Sequence, residues 1–281
     1  MRFRRPRRAL PGFELALAAT LLWAGVLVAL PFLGLAGKMA TVTWEQVWAS
    51  IADPRVVASY RISFGLALVA ALLDVLFGGM LAWALVRYHF PGKRLVDALV
   101  DLPFALPTAV AGLALTALYA PTGLLGKPLN DLFGIQVAYT PLGVLVALVF
   151  VGFPFTVRAV QPVLADVSAD LEEAAACLGA TRGYVFRRVV LPALFPALLT
   201  GGALAFGRAV GEFGSVVFIS GNLPFRTEIT PLLIIVKLEQ FDYAGAASIG
   251  SLMILVSLAI LLAVRAIEER QRRRLGLGEG I

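Results

Sequence analysis

The sequence predicts an all-α membrane protein with six transmembrane helices, on three observations. Of its 281 residues, 59% are hydrophobic and only 15% charged, with a mean hydropathy of +0.87. Six apolar stretches approach or exceed the length of a bilayer crossing, and the basic residues between them alternate from dense to sparse. A soluble domain carries about 25% charged and 45–50% apolar residues, so in water this chain would lack the polar side chains to cover its surface. A soluble enzyme, a disordered scaffold and a disulfide-stapled secreted domain are thereby excluded.

The apolar stretches run 13–35, 63–86, 99–120, 141–155, 197–220 and 245–267. A crossing needs about 20 residues of helix, which the fourth reaches only by continuing through Thr156 toward Val163. Backbone in lipid must form helices or a closed barrel, and barrel strands alternate over about 10 residues, which these stretches do not. The first follows Arg2, Arg4, Arg5, Arg7 and Arg8. It exceeds the roughly 7–15 apolar residues of a signal peptide and reads as an uncleaved helix. By the positive-inside rule, four segments are cytoplasmic: the N-terminus, 87–94, the stretch after the fourth span and the tail. Together they hold 17 of the 24 basic residues. Both termini are therefore expected inside, and the net charge of +6 is a topology signal that needs no nucleic-acid partner. Arg270–Arg274 reads as a contact with anionic lipid of the inner leaflet.

Several chemistries have no residues to carry them. One cysteine (Cys177) and one histidine (His89) form no usual zinc or haem set, so no metal or cofactor is expected. Gly123-Leu-Leu-Gly-Lys-Pro fails the spacing and the final hydroxyl of a phosphate loop. Any use of ATP must therefore come from a partner. No TVGYG filter occurs, and the few acids in the spans or at their edges (Asp74, Glu212; Asp97 and Asp101 at the start of the third) are not clustered as in an intramembrane enzyme.

The segment 166–192 between the fourth and fifth spans carries the sharpest pattern. Ser168 or Asp170 caps a helix, Asp170 with Glu173 fits a capping box, and Ala174–Ala176 favour helix. Gly179 suits a left-handed stop. A second short helix with Val185, Phe186 and Val189 on one side is expected to run until Pro192. The result is a helix–turn–helix elbow on the cytoplasmic face; from the residues alone it serves equally as a structured loop.

Glu173-Ala174-Ala175, then Gly179, Val189 and Leu191-Pro192 at their spacing resemble the EAA signature of ABC importer permease subunits, with Val189 where isoleucine is commonest. The resemblance implies the type I importer fold, with the elbow as a coupling helix docked on an ATP-binding subunit. Gly179 would set the turn, Glu173 would make polar contacts, and Leu191-Pro192 would start the next span. Three further stretches, 101–112, 207–222 and 227–243, are similar to the T-type permease of sulfate/thiosulfate importers. Molybdate or tungstate permeases share the Gly-Glu-Phe-Gly piece and are the nearer alternative; a secondary transporter is the distant one. The implied partners are a W-type permease, two ATP-binding subunits and an external sulfate/thiosulfate-binding protein. Residues 1–58 would form the N-terminus, a peripheral first helix and an external loop. Residues 59–268 would form a five-helix core and 269–281 a basic tail.

The pathway candidates are Pro103, Pro107, Arg208, Glu212, Gly214 and Ser215. Pro103 and Pro107 remove two helical N–H donors and break the third span, tolerated where backbone lines a cavity or is buried in protein. Arg208 and Glu212 are four apart, expected on one face of one helix, and an unpaired arginine there costs at least about 2.5–3.5 kcal/mol. Two readings stand side by side. Arg208 or backbone donors near Gly214 and Ser215 pass the dianion, or a mutual Arg208–Glu212 pair holds the helix in register; the pair is favoured because a fixed charge would trap sulfate. Gly207-x-x-x-Gly211 permits close backbone approach, Asp74 is expected in a structural hydrogen bond, and Cys177 reads as a small apolar contact.

Overall fold

A computed structural model describes residues 12–167, 173–175 and 177–274, with backbone alone at 268 and 271–274. Twelve labelled helices follow in order, and no strand occurs among the described residues. They are α1 (Phe13–Ala40), α2 (Trp44–Ile51), α3 (Pro54–Arg87), α4 (Lys93–Val100), α5 (Leu102–Ala105) and α6 (Thr108–Tyr119). Then come α7 (Gly126–Phe133), α8 (Pro141–Asp166), α9 (Arg182–Val210), α10 (Gly214–Ile219), α11 (Thr230–Glu239) and α12 (Tyr243–Arg274). Five of them, α1, α3, α8, α9 and α12, contain stretches long and apolar enough to cross a membrane.

The third apolar stretch is the exception to continuity. It is divided among α4, α5 and α6, whose longest piece has 12 residues. Pro107 forces Leu106 into extended backbone (φ −89°, ψ 134°), so the chain cannot run helically through 106–107. The fourth stretch continues as anticipated, and α8 reaches Asp166 across Pro154 and Pro162. The fifth ends early: α9 stops at Val210 and α10 starts afresh at Gly214.

The core is the mutual crossing of α3, α8 and α9. Ala67, Ala70, Ala71, Ala147, Ala205 and Ala209 are buried there. Small residues bring backbones close where lipid supplies no hydrophobic drive. A second cluster, with Leu85, Val160, Leu164 and Leu194, fills the end where α3 finishes and α9 begins. At the same end the Arg87 guanidinium donates to the Val167 carbonyl (3.0 Å), and Trp83 meets Phe186 edge-on at 5.5 Å. α1 buries no residue and packs chiefly on α12. α3 begins at Pro54, ahead of the predicted start of the core at 59.

Asp74 opens a π-turn (Asp74–Gly78) within α3. The expected hydrogen bond is not formed: neither carboxylate oxygen of this fully buried side chain has a partner among the described residues.

Candidate functional site

The elbow builds on a single left-handed residue. Glu173–Ala175 and Cys177 are helical, and Gly179 has φ +84°. The Ala180 amide then reaches back to the Ala175 carbonyl at 3.1 Å, the closing bond of a glycine-terminated helix. Ser168, Asp170 and Ala176 lie outside the described residues. Thr181 starts the next helix by accepting from the Tyr184 amide at 3.4 Å. Glu173, Ala174, Gly179 and Tyr184 are exposed, and Leu178 is 90% exposed. Cys177 is exposed as well, on the same surface of the elbow.

The second arm of the elbow does not stop at Pro192. Arg182–Val185 passes through a π-turn (Phe186–Val190) into the span without a break. A proline ring collides with the carbonyl four residues earlier, and a π-turn widens the helix at that point. Leu191-Pro192 thus lies between two and three turns inside α9 and does not begin it. Val185 and Val190 are buried, Val189 is partly buried, and Phe186 is exposed apart from its contact with Trp83.

The broken regions of the third and fifth stretches meet each other. α6 packs on α10 so closely that a Cβ on Gly112 would stand 2.5 Å from the Ser215 carbonyl oxygen, and one on Gly214 would collide with Thr108 Oγ1. Pro107, as the residue before α6, therefore sits beside the start of α10. Pro103 lies instead in α5, where the adjacent Phe104 meets Phe155 of α8 edge-on at 5.1 Å.

Glu212 is not on the helix that carries Arg208, contrary to the sequence reading, because α9 ends at Val210. The pair forms all the same: Arg208 Nη1 contacts Glu212 Oε2. The other carboxylate oxygen accepts from both the Ser215 amide and the Ser215 hydroxyl, each at 2.8 Å. Glu212, with a side chain only 1% exposed, thus ties the end of α9 to the start of α10. The Ser215 N–H, one of the backbone donors considered for an anion, is taken by this carboxylate. A Cβ on Gly207 would meet only the Leu261 side chain, at 3.7 Å, so the Gly207–Gly211 pattern makes no close helix approach among the described residues.

Two charge clusters escaped the sequence reading. Arg158 donates to Asp101 (2.8 and 2.6 Å), to the Asp97 carboxylate (2.6 Å) and carbonyl (2.9 Å), and to Gln161 (2.6 Å). The clamp fastens α8 to α4 and to the start of the broken segment. The Arg158 bonds, and then Gln161, hold the Asp97 carboxyl below the usual carboxylate range. Arg158 lies just beyond the 141–155 stretch, and Asp97 and Asp101, four apart, are the sequence signal for a shared cation. At the opposite end Arg55 forms a bidentate pair with the buried Glu228, both bonds 2.7 Å. These residues are 173 positions apart, and nothing local links them.

A family model described as "Binding-protein-dependent transport system inner membrane component" matches residues 74–274. The chain is 47% identical over 268 residues to the "Sulfate transport system permease protein CysT" of Salmonella typhimurium, covering 95% of this chain and 96% of the relative. It is 48% identical, with the same coverage, to the protein of that name from Escherichia coli. A "Probable sulfate transport system permease protein cysT" of Nephroselmis olivacea is 50% identical over 261 residues, 93% of this chain and 92% of the relative. Among solved structures, a bacterial ABC transporter importing the acidic polysaccharide alginate superimposes with a TM-score of 0.76 at 16% identity, covering 92% of this chain and 95% of that one. The alginate transporter in complex with a pentasaccharide-bound periplasmic protein gives 0.76 at 17%, covering 92% and 94%.

Proposed function

The chain belongs to the family of binding-protein-dependent transport system inner membrane components, and on that footing we propose that it is a membrane subunit of an ATP-driven sulfate importer that also accepts thiosulfate. It is a multi-pass inner-membrane permease subunit and not itself an enzyme. The identity of 47–48% over 95% of the chain to sulfate permeases carries the choice of substrate.

The mechanism we infer is alternating access. Both termini and the elbow lie on the cytoplasmic side, where 17 of the 24 basic residues gather. Two ATP-binding subunits engage this chain and a W-type permease through elbows, and an external binding protein delivers the anion. The exposed surface of Glu173, Ala174 and Leu178, turned by Gly179, supports the docking role. Val189, Leu191 and Pro192, continuous with α9, would carry its displacement into the span without a hinge. That span ends at the Arg208–Glu212 pair, so motion of the elbow would reach the Glu212–Ser215 junction and the Pro107 break beside it. Ala175, half-covered, would set the elbow's seat on the body. Residues 59–268 form the transporting core, with the peripheral α1 before it and the basic tail 269–281 at the inner leaflet.

The decisive experiment is Gly179→Asp in the assembled transporter. A side chain at φ +84° is strained, and a carboxylate would stand in the docking surface. ATP hydrolysis is expected to persist while sulfate uptake falls to background, with the protein still in the membrane; unchanged uptake would refute the coupling role.

A further inference from the structure

Between the end of α1, the second half of α11 and the start of α12 the chain leaves an open apolar groove of about 390 Å³. Its walls include Leu35 of α1, Ile234 and Leu238 of α11, and Ala247 of α12. This volume is within the roughly 300–1,000 Å³ of small-molecule sites. Its basic residue is Lys38, in the last turn of α1, whose ammonium lies 6.0 Å from the centre of the Tyr243 ring. No carboxylate is paired with Lys38 among the described residues; nearby Asp242 is held by Lys237 at 3.0 Å and by the Gly245 amide at 2.8 Å.

Depth places this cation at the membrane surface. The 28 residues of α1 span about 42 Å at 1.5 Å per residue, against a hydrocarbon core of about 30 Å. The last turn of α1 therefore stands at headgroup level. α2 follows at the same level. It is closed by a capping box on Thr43 and Gln46. Val47, Ser50 and Ile51 are its partly buried residues, Trp44 and Trp48 share an exposed flank beside them, and Glu45, Gln46 and Ala49 lie on the far side. That is the arrangement of a helix lying in the interface, with its indoles at the headgroups and its polar side in water.

We propose that the groove holds an acyl chain of an anionic phospholipid whose phosphate is bound by Lys38, with Trp44 and Trp48 seated in the same leaflet beside it. Two features select a lipid over a protein: a cation with no acidic partner at the mouth of an apolar groove, and continuity of that groove with the bilayer-facing surfaces of α1 and α12. Under the orientation proposed above this is the outer leaflet; the binding site itself stands whichever way the chain is inserted.

The test uses the complete transporter, purified into nanodiscs of mixed phosphatidylglycerol and phosphatidylethanolamine, with retained lipid counted by native mass spectrometry. The unmodified protein should keep a phosphatidylglycerol. Lys38→Gln should lower its retention about fivefold, the value of one lysine toward an anionic leaflet (about 1 kcal/mol). Ala247→Leu, which fills the groove, should release the phosphatidylglycerol. Lys38→Gln alters an exposed residue and leaves assembly intact, so it decides the matter even if the second variant fails to assemble. Equal retention in the unmodified and Lys38→Gln proteins would overturn the site. So would a photo-crosslink from a benzophenone side chain placed at position 238 to the second permease subunit or to the binding protein, since the groove would then be a protein interface.

Discussion

Arg158 places five hydrogen bonds on Asp97, Asp101 and Gln161. Because Arg158 and Gln161 hold the Asp97 carboxyl low, the clamp contributes fully above the ordinary carboxylate pKa of about 4. It is lost as pH falls through the lower value of the folded protein. The melting temperature of the purified protein should therefore decline on the acid side, and Asp97→Asn should flatten that decline while lowering the value at neutral pH. At the other residue cluster, Arg208→Gln strips a buried carboxylate of its counter-ion. Breaking a buried pair from one side costs about 3–5 kcal/mol, and Arg208, 33% exposed, belongs at the lower end. Thermal unfolding should show the loss, and adding Glu212→Gln should restore part of it. Sulfate uptake surviving in the single variant would assign the pair to holding α9 against α10 and remove the direct role for Arg208.

Elements here meet through glycines that no repeat pattern announced. Gly112 faces the Ser215 carbonyl, a backbone atom that cannot swing aside, whereas Gly207 faces only a flexible leucine at 3.7 Å. Gly112→Ala should separate α6 from α10 at a cost of about 1–3 kcal/mol or more and reduce transport strongly; Gly207→Ala should leave both nearly unchanged. Uptake rates and melting curves of the two variants, measured together, distinguish them. The small-xxx-small motif at 207–211 was the legible one, yet the close approach is made elsewhere. The glycines that matter, Gly112 and Gly214, sit on separate half-helices whose juxtaposition depends on the Pro107 break.

Across the whole molecule, the proposed orientation can be read from one atom. Cys177 is the sole cysteine and is exposed on the elbow. A membrane-impermeant maleimide should leave it unlabelled in spheroplasts and label it in inverted vesicles, with labelling suppressed once the ATP-binding subunits assemble. Labelling from outside would reverse the topology.

Apolar length, the alternation of basic segments and the elbow's spacing determined the membrane class, the number of apolar stretches and the glycine turn. Each of these is a local property of the chain: hydropathy over a window, charge in a loop, a left-handed residue after a helix. Tertiary structure alone decided three things: that Glu212 bridges two helices, that Arg158 clamps α4, and that Arg55 meets Glu228. These contacts join residues across breaks or far apart in sequence, and their energy depends on burial and on the direction of a fork of N–H groups. Neither quantity exists until α3, α8 and α9 have packed.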